Sequence, residues 1–271
     1  MNNKRIVIAL DRLGTRGIWL REEHEVTLKK YCELIDEVDN IKGQFLRNLE
    51  RFQTSKLPKI KPMFFSDTLF LIMEIEELGE LESLAYTTWL GGKIIIEGIN
   101  RNIFFRGAMS IGNVYYKDEY PIVFGPAIDE VTDWYEKSEW IGLHAAPSMH
   151  YYIEKNSGQP LFQLAEFLLK YKVPIKDYPN FSGWAVNWPS LLIHSHLNPE
   201  IKMEEFTSQE EAQAAIIAAI HQPGYKSEKK KVIENKSEWI NDIFSQSAVD
   251  PTNFQKFENT KEFYKYAIQK L

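Results

Sequence analysis

Two aspartates stand where short apolar runs of the sequence give way to turns. Asp11 follows the run at residues 5–10, which is rich in β-branched residues, and Asp67 lies in a polar break between two later apolar runs. Carboxylates at neighbouring strand ends suit Mg²⁺ or Mn²⁺, because these hard cations take oxygen ligands and keep positions open for phosphates. Two such ions can clamp the attacking and the leaving oxygen of a phosphoryl transfer. Aspartate also favours turns for conformational reasons, so the alternative for each residue is a purely structural role.

The segments around these aspartates contain residue types that bind phosphate. Gly14 and Gly17 follow Asp11, and the backbone N–H groups of such a turn can point at a triphosphate. Four arginines are expected near the same turns, and the planar guanidinium of arginine can pair with two phosphate oxygens at once. They are Arg12, Arg16, Arg21 and Arg106. Arg106 is the most informative of the four, because it opens an otherwise apolar strand. For each arginine, the alternative to phosphate binding is a solvated side chain on the surface.

Two other features have an ordinary explanation that we prefer. His194 and His196 would share one face of a strand, a spacing that can chelate zinc, but no cysteine or third clustered histidine accompanies them. We therefore expect a partly exposed pair. Cys32 lies among apolar residues at helical spacing and is expected in the core. The sequence contains no GxSxG, HExxH, Walker A or GxGxxG motif.

The spacing of apolar residues predicts the elements that must position these side chains. In the first half, strands are predicted at 5–10, 61–65, 69–76, 106–116 and 120–124, and helices at 22–53, 77–100 and in the first part of 125–152. In the second half, helices are predicted at 162–171, 209–220, 237–244 and 262–268, strands at 184–188 and 191–194, and a charged break at 226–231. Strands that alternate with long helices indicate an α/β or α+β fold with one covered sheet face.

The composition limits the class of protein. The chain has 271 residues, a net charge of −6 and one cysteine. A lone cysteine cannot form an intramolecular disulfide, and no apolar run approaches the roughly 20 residues that span a bilayer. An acidic total also disfavours binding to DNA or RNA through bulk charge. We therefore expect a cytoplasmic protein without a secretory signal, which binds neither nucleic acid nor a membrane.

The order of four segments resembles class III nucleotide cyclases, the catalytic domains of adenylate and guanylate cyclases. The segments are IALDRLG with Asp11 and Gly14, MFFSDTLFLI with Asp67, FRGAMSIGNVYY with Arg106, Gly107, Ile111 and Gly112, and FGPAIDEVTDWYE from Gly125. The last two are similar to those of the bacterial Pycsar cyclases, which make cyclic UMP or cyclic CMP in anti-phage defence. The resemblance covers roughly residues 5–150, and a late segment, FENTKEFY at Phe257–Tyr264, also looks like the tail of such bacterial proteins.

The resemblance implies a fold and an assembly. The fold would be α+β, with a ferredoxin-like βαββαβ core, an antiparallel sheet and helices on one face. Residues 1–153 would form the cyclase-like core, and residues 154–271 would form a C-terminal elaboration packed on the same domain. Because members of the family place the site between two wrapped subunits, a homodimer is implied.

The resemblance also implies a reaction. Asp11 and Asp67 would hold two Mg²⁺ or Mn²⁺ ions, and Leu13, Gly14 and Thr15 would lie along the triphosphate. The ribose 3′-oxygen would attack the α-phosphate and expel pyrophosphate, and positioning and charge neutralisation would supply most of the catalysis. The cyclic nucleotide would then act on a separate effector.

Two positions of the helix depart from the family. Asp129 and Asp133 stand where the family carries an asparagine and a transition-state arginine. Either Arg16, Arg106 or an arginine of a partner chain substitutes for that arginine, or the protein is catalytically dead. The rival to a cyclase is therefore a cyclase-like module that binds a nucleotide or a protein partner without catalysis. An unrelated α+β protein is a third alternative.

Two further departures concern the nucleobase. Met63 and Ile122 occupy the positions at which adenylate cyclases carry the lysine and the aspartate that read adenine. Neither side chain can read a base edge by charge, which argues against ATP and fits a smaller pyrimidine pocket. We expect UTP or CTP, and we favour UTP because the resemblance leans toward uridylate cyclases.

Overall fold

The computed structural model describes residues 3–15, 23–51, 59–75, 80–117, 119–120, 122–157, 167–197, 224–247 and 251–271. Within these ranges the strands are β1 (Lys4–Arg12), β2 (Ile60–Phe65), β3 (Thr68–Glu74), β4 (Phe105–Asn113), β5 (Tyr115–Lys117), β6 (Ile122–Phe124), β7 (Gly142–Ala145), β8 (Leu168–Lys172) and β9 (Ser182–Val186). The helices are α1 (His24–Arg51), α2 (Glu80–Asn100), α3 (Pro126–Lys137), α4 (Pro147–Asn156), α5 (Trp188–Leu197), α6 (Tyr225–Ser247) and α7 (Pro251–Lys270).

The main sheet is built around β1. Its strands follow the order β2-β3-β1-β4-β7-β9-β8, and β1 pairs antiparallel with both β3 and β4. Because α1 joins β1 to β2 and α2 joins β3 to β4, the first four strands and two helices form a ferredoxin-like βαββαβ unit. The predicted α+β class and ferredoxin-like core are confirmed.

β1 is buried on both faces, which explains why its sequence is continuously apolar instead of alternating with polar residues. Ile6, Ile8 and Leu10 belong to the larger core, which also contains the buried faces of α1 and α2. Val7 and Ala9 point to the opposite face of the sheet and pack in a smaller core against α3. The next odd-numbered residue of the strand is Asp11, so its side chain also lies on the α3 face.

The position of α3 adds a detail that the sequence did not predict. The expected helices on one face are α1 and α2, but α3 packs on the other face through Ala127, Val131 and Tyr135. Small residues of β4 let this helix approach, and the hydroxyl of Ser110 donates a hydrogen bond to the carbonyl of Ala127 at 2.7 Å. The sheet is also not purely antiparallel, because β4 and β7 pair in parallel.

The second half of the chain continues the same sheet. β9 pairs antiparallel with both β7 and β8, which places β8 at the edge. α5 packs against α2, and α6 and α7 add a further helical layer in which Phe244, Phe257 and Phe263 are buried. The division of the chain at residues 153 and 154 remains a prediction.

Two segments of the second half fold differently from the prediction. Residues 168–171 were predicted to end a helix but form β8, because pairing with β9 overrides the helical spacing of the apolar residues. Residues 191–194 were predicted as a strand but lie in α5. His194 and His196 are therefore two positions apart on a helix, where side chains do not share a face, and the geometric basis for zinc chelation is lost.

Two further predictions are wrong. The supposed charged break at 226–231 lies inside α6, because lysine and glutamate are good helix formers. Cys32 is exposed on α1, since Leu34 and Val38 form the buried face of that helix instead. The predicted helix at 209–220 lies outside the described residues. Among the described helices, none is both long enough and apolar enough to cross a membrane.

Candidate functional site

Asp11 is a buried carboxylate at the end of β1, with 8% of its surface exposed. Strand pairing sets it opposite Thr68 on one side and Arg106 on the other. Arg106 Nε donates a hydrogen bond to Asp11 Oδ2 at 2.7 Å, and Thr68 Oγ1 donates to Asp11 Oδ1 at 3.2 Å. Both oxygens of this carboxylate therefore have partners supplied by neighbouring strands.

Burial and a second carboxylate shape the electrostatics of Asp11. Burial raises the pKa of Asp11 above its usual range, the hydrogen bond and charge of Arg106 oppose this shift, and the negative charge of Asp67 adds to it. The two aspartates are thus close enough to repel each other, which is the arrangement that a bound cation would relieve.

Asp67 lies in the turn that joins β2 to β3. Ser66 before it adopts the left-handed conformation with φ of 58°, which reverses the chain in a tight turn. The hydroxyl of Thr15 donates a hydrogen bond to Asp67 Oδ2, and the backbone N–H of Arg12 donates to the Asp67 carbonyl at 3.1 Å. The tip of the β2–β3 hairpin is therefore tied to the end of β1 and to the turn that follows it.

The turn at residues 13–15, which we call the phosphate turn, lies beside both aspartates. The backbone N–H of Leu13 donates to the carbonyl of Phe104 at 2.8 Å. Gly14 has a φ of +76°, a conformation that L side chains rarely adopt, so this position requires glycine. Together with the Thr15 hydroxyl bond to Asp67, these contacts hold the predicted nucleotide-binding residues next to the predicted metal ligands.

The predicted arginines separate into different places. Arg106 lies at the site, where its Nη1 also donates to the carbonyl of Glu136 at 2.9 Å, near the end of α3. Arg12 points to the other face of the sheet and packs over the ring of Tyr31. Arg16 lies outside the described residues, as does Arg21. Of the four arginines, Arg106 is the one that the described part of the chain brings to Asp11.

The two nucleobase positions line two different pockets. Met63 is half-buried on β2 and lines a pocket of about 260 Å³. The other residues that line this pocket are Phe65, Phe70, Ile72, Val123 and Ile128. Ile122 is exposed on β6 and points to the opposite face from Val123, where it lines a separate pocket of about 520 Å³ together with Arg5 and Lys117. Among the described residues, none that lines the pocket at Met63 carries a charge.

Asp129 and Asp133 lie on the outward face of α3 and are exposed. Because Ala127, Val131 and Tyr135 face the sheet at a spacing of four residues, the two aspartates point away from it. Neither residue therefore points from its own α3 toward Asp11.

Sequence reasoning missed Tyr135 as a residue of this site. Tyr135 is buried on α3, and burial raises the pKa of its hydroxyl. The negative charge of Asp11 raises this pKa further, whereas a hydrogen bond with Thr68 opposes the shift. A signal was present in the sequence, because Tyr135 continues the four-residue spacing of Ala127 and Val131. That spacing places Tyr135 over the sheet near the end of β1.

The donor chemistry of the site fits a hard divalent cation. Asp11 and Asp67 supply carboxylate oxygens, and Mg²⁺ is commonly held by one or two carboxylates together with water and substrate phosphates. Among the described residues, no group of three or more histidine, cysteine, aspartate or glutamate side chains could hold a metal ion. The two aspartates therefore fit an ion that is shared with a phosphate better than a closed structural site.

Of three comparisons with known proteins, the search of solved structures found matches. No protein-family model matches the chain, and no curated protein matches it. The solved structures that match include the catalytic core of a rhodopsin-guanylyl cyclase in complex with ATPαS, with 14% identity, a TM-score of 0.45, and coverage of 68% of this chain and 95% of that one. A dimeric guanylyl cyclase domain of the RhoGC fusion protein from the aquatic fungus Blastocladiella emersonii matches with 13% identity, a TM-score of 0.46, and coverage of 68% and 96%.

An adenylate/guanylate cyclase/hydrolase from Silicibacter pomeroyi matches with 13% identity, a TM-score of 0.40, and coverage of 68% of this chain and 94% of that one. These neighbours are nucleotide cyclase domains with a mixed α+β fold. At this identity and TM-score the likeness concerns the fold alone and assigns no activity or residue role to this chain.

Proposed function

We propose that this protein is a nucleotide cyclase. It converts a pyrimidine nucleoside triphosphate, UTP in preference to CTP, into the 3′,5′-cyclic monophosphate and pyrophosphate. The observation that carries the proposal is the meeting of Asp11, Asp67 and the phosphate turn at one end of the sheet. The order of the four sequence segments supports the same reaction, through their resemblance to class III cyclases.

Asp11 and Asp67 are the residues that would hold two Mg²⁺ or Mn²⁺ ions. When bound, such ions neutralise phosphate charge and favour the ionised 3′-oxygen of the ribose. The donor set supports this role, because both residues offer oxygen ligands and their mutual repulsion contributes to the raised pKa of Asp11. In the absence of metal, Arg106 compensates the charge of Asp11.

The chain's own residues orient the reactants. The phosphate turn lies beside the two carboxylates, where Leu13, Gly14 and Thr15 would hold the triphosphate, and the hydrogen bond from the Leu13 N–H to the carbonyl of Phe104 fixes the position of the turn. The bond between the 3′-oxygen and the α-phosphorus forms, the bond from that phosphorus to the bridging oxygen breaks, and pyrophosphate leaves with the bonding electron pair. The proton of the 3′-hydroxyl passes to solvent. The family's transition-state arginine is replaced by Asp133 in this chain. Its positive charge is supplied instead by Arg106, which forms an ion pair with Asp11, or by Arg16.

The nucleobase proposal rests in part on the apolar pocket at Met63. A pocket of about 260 Å³ without a charged lining residue offers no lysine or aspartate to read the edge of adenine. This lining argues against recognition of ATP by charge, and the choice of a pyrimidine rests on the resemblance to the Pycsar cyclases. The preference for UTP over CTP rests on the resemblance to uridylate cyclases. The same resemblance is the basis for the proposed role in bacterial anti-phage defence and for a separate effector that binds the product.

The proposal includes a cytoplasmic homodimer. Asp129 and Asp133 point away from the site of their own chain, so a group that acts from this helix would have to act on a second copy. The β5–β6 hairpin and Phe65 expose apolar side chains that a second copy could cover. These features support a site shared between two chains.

The test is incubation of the protein with each of the four nucleoside triphosphates, with Mn²⁺ and with Mg²⁺, followed by separation and mass analysis of the products. We expect a cyclic pyrimidine nucleotide from the wild-type protein. Asp67→Asn keeps an oxygen that can accept the Thr15 hydrogen bond but removes the negative charge. Changes to the residues that surround metal ligands typically lower activity by about 10- to 100-fold. Because Asp67 is itself a proposed ligand, we expect activity to fall by about a hundredfold or more.

Asp177→Asn is the matched control for this experiment. Asp177 is an exposed turn residue with φ of 63°, a conformation that asparagine tolerates, and it lies in the connection between β8 and β9. Its replacement should leave activity unchanged. Equal activity of Asp67→Asn and the wild type would contradict the proposed metal site.

The second candidate function is a nucleotide-binding module without catalysis. Asp129 and Asp133 favour it, because a carboxylate cannot donate to a transition-state phosphate. Such a module would show metal-dependent stabilisation by UTP or CTP but no cyclic product. A ligand at about 100 times its dissociation constant adds about 2.7 kcal/mol of stability, which a thermal unfolding experiment resolves.

A further inference from the structure

The C-terminal helix α7 begins against the phosphate turn, although about 240 residues separate the two in sequence. Asn253 lies in the first turn of α7, and its side-chain amide nitrogen Nδ2 would be 3.7 Å from a Cβ atom placed on Gly14. The amide therefore packs directly on the glycine that gives the turn its left-handed conformation. None of the sequence segments that resemble cyclases includes this helix turn.

A buried lysine fixes the orientation of the Asn253 amide. Lys256 Nζ lies 3.5 Å from Asn253 Oδ1 and 3.5 Å from Glu139 Oε2, and the Lys256 side chain is almost fully buried. Because an ammonium group only donates hydrogen bonds, it selects the oxygen end of the amide. The NH₂ end of Asn253 is thereby directed toward the phosphate turn.

The position of α7 is fixed independently of the turn. Asn259 Nδ2 donates a hydrogen bond to the carbonyl of Glu139 at 2.6 Å, and the backbone N–H of Ile141 donates to the buried hydroxyl of Thr260 at 2.7 Å. Both contacts join α7 to the segment that leads into β7. Asn253 is therefore presented by a helix that is anchored to the sheet.

A second route connects the same helix to the turn. The carbonyl of Phe104 accepts the backbone N–H of Leu13, and the ring of Phe104 packs edge-on against Phe257 of α7 with centroids 5.1 Å apart. Phe244 of α6 completes this aromatic cluster, with its centroid 5.9 Å from that of Phe104. The helical layer thus supports the phosphate turn from its backbone side, and Asn253 supports it at Gly14.

We infer that Asn253 is a positioning residue, through which α7 holds the phosphate turn in the shape that binds the triphosphate. Asn253 acts on the turn and not on the substrate. The expected effect of Asn253 on KM rests on the proposed function, whereas its expected effect on the rigidity of the phosphate turn does not. The inference assigns a role at the active site to the C-terminal part of the chain.

Two substitutions separate positioning from mere packing. Asn253→Ala removes both ends of the amide. Asn253→Asp keeps an oxygen that pairs with Lys256, so α7 stays docked, but it replaces the NH₂ group that faces Gly14 with a second carboxylate oxygen. The matched control is Gln255→Ala, which removes an amide from the same helical turn on its exposed face, where Gln255 contacts Asn259.

The first readout is hydrogen exchange of the backbone amides at residues 11–15. We expect faster exchange there in Asn253→Ala and Asn253→Asp, and wild-type exchange in Gln255→Ala. The melting temperature of Asn253→Asp should stay close to that of the wild type, because the Lys256 contact is kept. Wild-type exchange of the turn in both Asn253 variants would overturn the inference, whether or not the protein makes a cyclic nucleotide.

The second readout is steady-state kinetics with the nucleotide that the wild-type protein cyclises. Both Asn253 variants should raise KM by about three- to tenfold, the loss typical of one hydrogen bond, with kcat changed by less than about twofold. A purely structural role predicts a lower melting temperature with an unchanged KM, and that result would reject positioning. Faster turn exchange in a protein that makes no product from any nucleotide would support the contact and reject the proposed function.

Discussion

Asp11 is a buried carboxyl group whose ionised form is stabilised by its neighbours. Arg106 and Thr68 contact its two oxygens from the adjacent strands. An unpaired carboxylate at this depth would take up a proton, and the raised pKa of Asp11 shows that burial already acts in that direction. Arg106 therefore has two roles in the proposal: it holds Asp11 in place before metal binds, and its charge then lies where the phosphates would be.

His144 predicts a pH dependence of stability. It is fully buried on β7 between the rings of Trp134 and Phe181, and Ser138 Oγ lies 3.3 Å from its Nδ1. Burial lowers the pKa of His144 to about 4. Because the unfolded chain binds this proton near pH 6.5 and the folded chain does not, stability should fall as the pH drops from about 6.5 toward 4.

The expected loss from His144 is about 2 kcal/mol between roughly pH 7.5 and pH 5. Urea unfolding at the two pH values measures it. His144→Gln lowers the stability at every pH but should lose about 2 kcal/mol less than the wild type on acidification. His196→Gln, which replaces an exposed histidine of α5, should keep the wild-type pH dependence. Equal pH dependence in all three proteins would show that another group titrates.

At the scale of one strand, two glycines of β4 predict opposite effects. A Cβ on Gly107 would lie 2.7 Å from the carbonyl oxygen of Ala9 and 2.6 Å from Leu10 Cδ2, so backbone of the neighbouring strand β1 blocks it. A Cβ on Gly112 would meet only Ala127 at 3.5 Å, an ordinary contact. Both glycines belong to the sequence segment that resembles cyclases, but only Gly107 is required by the packing of the sheet.

Gly107→Ala should therefore destabilise the protein by about 1–3 kcal/mol, the usual cost of overpacking a core. Gly112→Ala is the control on the same strand and should be neutral or stabilising by up to about 1 kcal/mol, because it restricts the unfolded chain. Urea unfolding monitored by tryptophan fluorescence measures both. A Gly107→Ala protein as stable as the wild type would mean that β1 and β4 can separate at this point.

The elements that build the site were those most readily predicted from sequence. β1 and the β2–β3 hairpin are adjacent in the sheet and have strong apolar runs with a clear turn, so the sequence pattern alone placed Asp11 and Asp67 at neighbouring strand ends. The position of Arg106 opposite Asp11 followed from the βαββαβ order. Prediction was poorer where tertiary contacts decide the conformation, as in β8, whose helical spacing is overridden by its pairing with β9.

Contacts between distant parts of the chain could not be predicted at all. Nothing in the spacing of Asn253 and Lys256 indicates that α7 begins against Gly14, because that approach depends on how the helical layer docks on the sheet. Tyr135 was missed for a similar reason, since α3 lies on the face of the sheet that the prediction left uncovered.

At the scale of the whole molecule, the surface that the fold leaves open predicts self-association. Phe124 is 58% exposed, Ile122 55% and Tyr120 57%, and all three belong to the β5–β6 hairpin or its turn. Phe65 is 79% exposed, and it lies in β2 just before the turn that carries Asp67. Monomeric proteins rarely expose so many large apolar residues together, so a second copy is the expected cover.

Phe124→Asp should weaken this dimer. Burying an uncompensated carboxylate in an apolar interface costs at least about 2 kcal/mol, which corresponds to a rise of about thirtyfold in the dissociation constant. Light scattering coupled to size exclusion should show a dimer for the wild type at micromolar concentration and a monomer for the variant. Tyr151→Asp, which alters a 70% exposed aromatic residue on α4, should remain dimeric.

The same variants test whether the site needs two chains. If residues of both copies complete it, the specific activity of the wild type should fall on dilution through the dissociation constant, and Phe124→Asp should lose activity at concentrations where Tyr151→Asp keeps it. The fold of Phe124→Asp should be intact by circular dichroism, because Phe124 is mostly exposed in the single chain. A monomeric Phe124→Asp protein with full activity would place the complete site within one chain, and Arg106 would then be the described arginine available to the phosphates.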